Sequence, residues 1–295
     1  MNPPPPLFDT ALIRHRLARA RRAGFADFLL ARVIEDVDDR LSAVLRRFPL
    51  VLDLGTPLPG LAQALRGREG VERVLRLSPL AEPGAPLTVL GEPEALPFAA
   101  QRFDLVVSAL ALQHVNDLPG ALAQLRRALK PDGLFLACLI GGSSLTELRQ
   151  SLLQAESEIA GGVSPRVAPF AEVRDLGGLL QRAGFALPVT DTDRIVVRYA
   201  DAFGLMRDLR AMGLTNALSE RSRAGLRRDV LMRAAQIYAE RFADPDGRLR
   251  ATFEIVWLSG WAPHESQQKP LRPGSAQARL AEALGTDERP LTPGG

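Results

Sequence analysis

Asp53, Gly55 and Gly60 stand at the end of the apolar run Val51-Leu52-Asp53-Leu54-Gly55-Thr56-Pro57-Leu58-Pro59-Gly60, in the pattern of a strand that turns sharply into a nucleotide-binding loop. Glycine in such a loop lets the backbone approach a ligand, because no Cβ intervenes. Here Pro57 and Pro59 fall where glycines are usual, and each removes a backbone donor and fixes its own φ. The strand signal therefore survives while the ligand signal weakens. His114 is the other residue whose type points to chemistry. Histidine titrates near neutral pH, so it suits a general base or a substrate-orienting role, with a structural loop histidine as the alternative. His15 is placed on a helix face and His264 in a tail. An iron site of two histidines and a carboxylate would need two of these three to converge with an acid, and nothing in the sequence shows that, so no metal is expected.

The elements that would position these residues alternate. Residues 8–47 read as helical, with apolar positions at three- and four-residue spacing and Gly24 dividing them into two helices. Strands are expected at 50–54, 71–77, 87–90, 103–109 and 133–140, with helices after Pro59 and at 118–129, and a turn at Lys130-Pro131-Asp132-Gly133. Strict alternation implies a parallel, doubly wound sheet. Its ligand crevice lies outside the carboxyl ends of the strands, with Gly55, Arg76, Glu92 and Ser108 on the rim. Further on, helices are expected at 143–160 and 171–182, two strand-like runs at 185–190 and 194–199, helices at 202–212 and 224–242, and a late strand at 251–261 whose low polarity fits a sheet buried on both faces. A short helical stretch is expected at 276–284. The organisation is then a helical extension at 1–47, a core at 48–200, a helical insertion at 201–247, the last core strand at 248–262 and a tail at 263–295.

The chain has 295 residues and a formal charge of +3, with Lys130 and Lys269 as its only lysines. This mild, arginine-based excess gives no argument for nucleic acid. Arg14, Arg16, Arg19, Arg21 and Arg22 read as a solvated helix face, or else as a patch for an acidic partner. The single cysteine, Cys138, allows neither a disulfide framework nor a zinc site within one chain. No apolar run spans a bilayer and no signal peptide is visible, so a cytoplasmic protein is expected. Asn116 and Asp117 are expected to cap the following helix. Trp257 and Trp261 are expected in the core. Glu147 and Arg149 are expected either at the substrate crevice or in solvent.

Taken together, Asp53-Leu54-Gly55, Glu92-Pro93-Glu94-Ala95-Leu96-Pro97-Phe98, Phe103-Asp104-Leu105-Val106-Val107-Ser108, Leu112-Gln113-His114-Val115 and Leu129-Lys130-Pro131-Asp132-Gly133 resemble successive motifs of class I S-adenosylmethionine (SAM) dependent methyltransferases. The chain is similar, more closely, to the methyltransferase-fold assembly factors of respiratory complex I and their bacterial relatives, which are protein arginine hydroxylases. That likeness rests on Val115-Asn116-Asp117-Leu118-Pro119, Gly141-Gly142, Leu145-Thr146-Glu147-Leu148-Arg149, Asp175-Leu176-Gly177, Arg182-Ala183-Gly184-Phe185, Gly260-Trp261, His264-Glu265-Ser266-Gln267 and Pro273-Gly274-Ser275-Ala276.

The resemblance implies a Rossmann-like α/β methyltransferase fold with an N-terminal helical extension and a helical insertion before the last strand. It implies a SAM site formed by Asp53, Gly55, Gly60, Glu92 and Ser108, with His114 as the catalytic candidate. It also implies a partner protein, a complex I subunit, whose arginine is modified. The site is degenerate, however. Where an acid usually accepts both ribose hydroxyls, Arg76 has only donors, a loss of roughly 1.5 to 3 kcal/mol. Arg76 is accordingly expected as a surface residue beside a decayed site. Two alternatives remain: a cofactor-free assembly chaperone, and a small-molecule or carrier-protein methyltransferase.

Overall fold

The computed structural model describes residues 5–268, apart from Pro83 and Pro86, together with Gly285. Met1–Pro263 forms one compact unit and His264–Gly295 a second. The first unit is built on a seven-stranded sheet in the order β3-β2-β1-β4-β5-β7-β6. The strands are β1 (Leu50–Leu54), β2 (Arg73–Ser78), β3 (Thr88–Leu90), β4 (Phe103–Ala109), β5 (Leu129–Ile140), β6 (Ala186–Tyr199) and β7 (Leu249–Trp261). The first five run parallel, and β7 inserts antiparallel between β5 and β6. Strand order reverses between β1 and β4, so the crevice opens at their carboxyl ends.

The helices are α1 (Thr10–Ala23), α2 (Phe28–Ser42), α3 (Gly60–Arg66), α4 (Leu118–Ala128), α5 (Thr146–Ala160), α6 (Val173–Arg182), α7 (Ala202–Ala211) and α8 (Arg228–Phe242). They cover both faces of the sheet, and β4 shows how the sequence specifies this. Leu105 and Val107 enter a core shared with Leu29 and Val33 of α2, whereas Phe103 and Val106 enter the other core with Leu122 of α4 and Leu176 of α6. From Leu105 to Val107 successive side chains point to opposite faces, so one apolar run serves two cores at once, while the bulge between Phe103 and Leu105 puts Phe103 on the same side as Val106. The α/β reading is borne out, as is the break at Gly24, whose φ of +94° suits a residue without a Cβ.

Two expectations fail. Residues 130–133 are not an isolated turn but part of β5. Leu129 pairs with Phe103 and Leu134 with Leu105, so the extra residues form a bulge around Asp132, whose φ is +63°. The expected pair of short strands near residues 185–199 is one strand, β6, because Asp191, Thr192 and Asp193 stay in the ladder opposite Trp257, Val256 and Ile255. These polar residues are tolerated since β6 is a sheet edge. Arg40 donates to both Asp191 and Asp193, and the indole N–H of Trp257 donates to Asp193 Oδ2 at 2.8 Å. In the second unit the described residues include His264, whose Nδ1 lies 2.7 Å from Ser266 Oγ. The expected helix at 276–284 lies outside the described residues. Among the described residues no helix is long and apolar enough to cross a membrane.

Candidate functional site

The loop after β1 begins as the sequence suggests. Gly55 has φ +69°, its N–H donates to Leu77 O at 2.8 Å, and a Cβ there would meet that of Ala111 at 3.2 Å. Beyond Gly55 the loop departs from the expected cradle. Arg76 is 1% exposed and is therefore not a surface residue. Its Nη1 donates to Asp53 Oδ2 at 2.6 Å and to Leu58 O at 2.8 Å, its Nη2 to Thr56 O at 2.5 Å, and its Nε to Glu82 Oε2 at 3.2 Å. The guanidinium thus replaces its lost hydration with two carboxylates and two loop carbonyls. Asp53, 0% exposed, has its pKa pushed up to about 6 by burial, against the opposing pull of Arg76. The loop turns carbonyls inward, and its prolines contribute no N–H. A nucleotide cradle requires the reverse polarity.

Helix α1 closes over this arrangement, because two of its arginines point inward. Arg21 donates to Pro57 O at 2.7 Å and to Glu82 at 2.8 Å. Arg14 Nε lies 3.5 Å from Glu92 Oε1. Arg16 donates to Thr215 O at 2.6 Å and to Asn216 O. Arg14, Arg19 and Arg22 are exposed, Arg14 despite its contact with Glu92, so Arg16 and Arg21 are the inward pair. Asp9 caps α1 by accepting from Leu12 N at 3.0 Å. Asn116 does not cap α4. It accepts from Phe8 N at 2.8 Å and donates to Phe8 O at 3.2 Å, while Asp117 alone caps, accepting from Gly120 N.

The remaining candidates divide between scaffold and cavity wall. Ser108 Oγ donates to Leu54 O at 2.8 Å, joining β4 to β1. Gly60 opens α3 and faces Ile34 of α2. Phe98 packs edge-on against Phe103 at 5.0 Å. Glu147 is buried against Thr252, accepting from its N–H at 3.2 Å, and Arg149 donates to Ala168 O at 3.3 Å, so neither lies in the crevice nor in solvent. Glu92 keeps Oε1 without a hydrogen-bond partner, and burial raises its pKa against the pull of Arg14. His114 ends a 3-10 turn, Leu112–His114, and meets the ring of Phe8 edge-on at 5.2 Å. Burial, helped by the charge of Arg16, lowers its pKa to about 4. At neutral pH it is an uncharged imidazole rather than the half-titrated group expected.

Two cavities meet at His114. One, of about 130 Å³, lies between α1, Gly55, Pro57 and Glu92. The other, of about 310 Å³, is apolar and lies between Leu148 and Leu152 of α5, Met206 and Leu209 of α7, Phe170 and Phe253. Gln113, His114 and Leu214 line both. Gln113, part of the Leu112-Gln113-His114-Val115 motif but not singled out from the sequence, donates from Nε2 to Leu110 O at 2.8 Å and leaves Oε1 unpartnered.

SAM does not fit these residues as they stand. A buried cation occupies the place of the ribose-accepting acid, the loop offers acceptors where donors are needed, and 130 Å³ is small beside the roughly 300–1,000 Å³ of a typical ligand pocket.

A methyltransferase domain model matches residues 63–137. The human "Arginine-hydroxylase NDUFAF5, mitochondrial" is 43% identical over 299 residues, covering 98% of this chain and 86% of the relative. The Danio rerio protein of the same name is 42% identical over 265 residues, covering 87% and 82%. A malonyl-[acyl-carrier protein] O-methyltransferase of Xylella fastidiosa is 33% identical over 270 residues, covering 87% and 89%. The YcgJ protein of Bacillus subtilis superposes with a TM-score of 0.51 at 15% identity, covering 80% of this chain and 98% of that one, which supports the fold alone. The relatives named mitochondrial overturn the cytoplasmic expectation. Identity at this level over nearly the whole chain shows that it belongs to the NDUFAF5 arginine-hydroxylase family of enzymes, built on the methyltransferase fold.

Proposed function

We propose that the chain hydroxylates an arginine of a partner protein, a complex I subunit, during assembly of that complex. The observation that carries this reading is the buried Arg76 held by Asp53, Glu82 and the loop carbonyls, combined with an intact apolar cavity on the other side of His114. The first feature disfavours ordinary methyl transfer, and with it the carrier-protein methyltransferase alternative. The second leaves room for a substrate. In this reading Asp53, Gly55, Gly60 and Ser108 maintain the refilled loop, while Glu92 and His114 face the reacting end. A neutral His114 can accept or donate a hydrogen bond without repelling a cation. Any SAM affinity is proposed to be weak, because Arg76 and the loop carbonyls stand where an acceptor and donors are needed.

The test is the mass of complex I subunits from cells encoding this chain, with and without its gene. One subunit should carry an arginine heavier by one oxygen only when the gene is present, and His114→Ala should remove that mass while the protein stays folded. Unmodified arginines throughout the wild-type complex would instead support the chaperone alternative.

A further inference from the structure

Helix α7 carries two adjoining surfaces of opposite character. Met206 and Leu209 line the apolar cavity of about 310 Å³, while Arg207 and Arg210 line a groove of about 210 Å³ that they share with Arg19 and Ala23 of α1. Residues three apart on a helix lie on one face, so positions 206 and 209 form one stripe and positions 207 and 210 the next. Arg210 lines both spaces and is itself exposed, so cavity and groove adjoin at the surface.

The charge of this region is one-sided. Arg19, Arg207 and Arg210 are exposed, and among the described residues none of them has a hydrogen-bond or ion-pair partner. No acid lines either space. Arg166, the other cation of the cavity wall, is bonded to Glu156 at 2.7 Å, so the unmatched charge begins at Arg210 and runs into the groove. Such a site repels a cation and attracts an anion, whereas the cavity behind it accepts only an apolar group. One occupant that satisfies both carries an apolar side chain beside negative charges. The space suffices, since a cavity of about 150 Å³ already takes benzene.

The groove also selects among classes of partner. Its floor is alanine and glycine, with no ring on which a base could stack and no large apolar side chain to enter a bilayer. Small residues do let a polypeptide backbone lie close. Neighbouring residues of an extended peptide are about 3.3 Å apart, so an apolar residue and the acids next to it can reach adjacent stripes of α7 together.

We infer that cavity and groove together seat an acidic segment of the partner protein, with one large apolar side chain in the cavity and the neighbouring carboxylates on Arg210, Arg207 and Arg19. The inference rests on the protein-substrate reading above and names what marks the partner besides its arginine.

Titration of the full chain tests it, with the methyl NMR signal of Met206 reporting on the cavity. The probes are the acetylated, amidated hexapeptide Ala-Ala-Phe-Glu-Glu-Ala, a version with alanine for phenylalanine, versions with glutamine or lysine for both glutamates, and octanoate. The parent peptide should shift Met206 and bind at least about tenfold more tightly than the alanine version, the factor that burying one aromatic side chain supplies. The glutamine version should be about fivefold weaker than the parent, because exposed ion pairs are individually weak, and the lysine version weaker still. Molar salt should remove the preference for glutamate and leave that for phenylalanine. Arg207→Glu with Arg210→Glu should invert the order of the glutamate and lysine versions, and both side chains are exposed, so the fold should persist. If this variant unfolds, the ranking on the wild-type protein still decides. Equal binding of the lysine or the alanine version overturns the assignment, and so does failure of every peptide to shift Met206. Tighter binding of octanoate than of any peptide would give the cavity to a free acid or lipid chain instead. An oxygen-bearing arginine in the complex I mass measurement would still stand in each of these cases, so the two failures are distinguishable.

Discussion

The two ends of the crevice solve the same problem in opposite ways. At the β1 end, charge fills the space: Arg76, Asp53, Glu82 and Arg21 form a connected set that replaces a ligand with protein. At the α5–α7 end, apolar side chains leave the space open. The first end resists a new occupant because one must break buried ion pairs to enter, whereas the second breaks none. In the proposed reading, the methyltransferase fold loses its cofactor subsite and keeps an adjoining substrate subsite, since different elements build them.

The largest effect should come from breaking the filled end. Arg76→Met leaves Asp53 buried without its cation and Glu82 with Arg21 alone, and should cost about 3–5 kcal/mol in urea unfolding. Adding Asp53→Asn should recover much of that loss, because the isolated charge, not the missing bridge, carries the penalty. A loss below about 1 kcal/mol for Arg76→Met would mean that the ion pairs are solvated and the end is not truly filled.

The same end explains what the sequence does and does not disclose. The strands of the parallel sheet are legible because apolar runs of strand length alternate with amphipathic helices. Arg76 reads as a surface residue only when its side chain is considered alone. It lies directly opposite Asp53 in the parallel ladder, and two opposite charges at paired positions of buried strands are a readable signal. Glu82 and the carbonyls of Thr56 and Leu58 are not readable, since they arrive from loops. The inward arginines of α1 are hidden for the same reason: their partners, near residues 57, 82 and 215, are distant in sequence. Asp191 and Asp193 mislead in the other direction, making a continuous edge strand look broken.

Cofactor binding gives a second, smaller measure of the contrast. SAM at millimolar concentration should leave the melting temperature of the wild-type protein unchanged. A ligand at about 100 times its dissociation constant would instead add about 2.7 kcal/mol, or several degrees. Micromolar affinity by calorimetry would show that Arg76 moves aside readily. Restoring glycine at 57 and 59 with Arg76→Asp places a third acid beside Asp53 and Glu82, so Glu82→Ala must accompany these changes before binding improves.

At the junction of the two ends, His114 should make stability depend on pH. Its folded pKa of about 4 lies below the ordinary 6.5, so its contribution is fully present above pH 6.5 and is lost as pH falls towards 4. Asp53 acts oppositely: its folded pKa of about 6 exceeds the ordinary 3.8, so its contribution is present at low pH and lost as pH rises through 6. The two windows overlap and partly cancel. Between pH 7 and pH 5, His114→Gln should therefore lose less stability than the wild type, or gain some, in urea midpoints. Parallel curves for the two proteins would show that the imidazole is not shielded.

The smallest effect should come from the clamp that holds α1 across the filled end. Asn116 makes paired hydrogen bonds with the backbone of Phe8, and that ring packs on His114. Asn116→Ala removes both bonds, at about 1 kcal/mol because the part-buried Phe8 peptide can reach water once the side chain is gone. Global unfolding should barely register it. Amide exchange should, since local opening is governed by local contacts. Exchange should accelerate in the first turn of α1, where Asp9 and Phe8 anchor the helix, and not in β1 or β4, whose hydrogen bonds lie within the sheet. Arg16 and Arg21 still tether the later turns, so the faster exchange should fade along α1. Uniform acceleration over the whole helix would mean that Asn116 alone keeps α1 in place, and the arginine contacts contribute little.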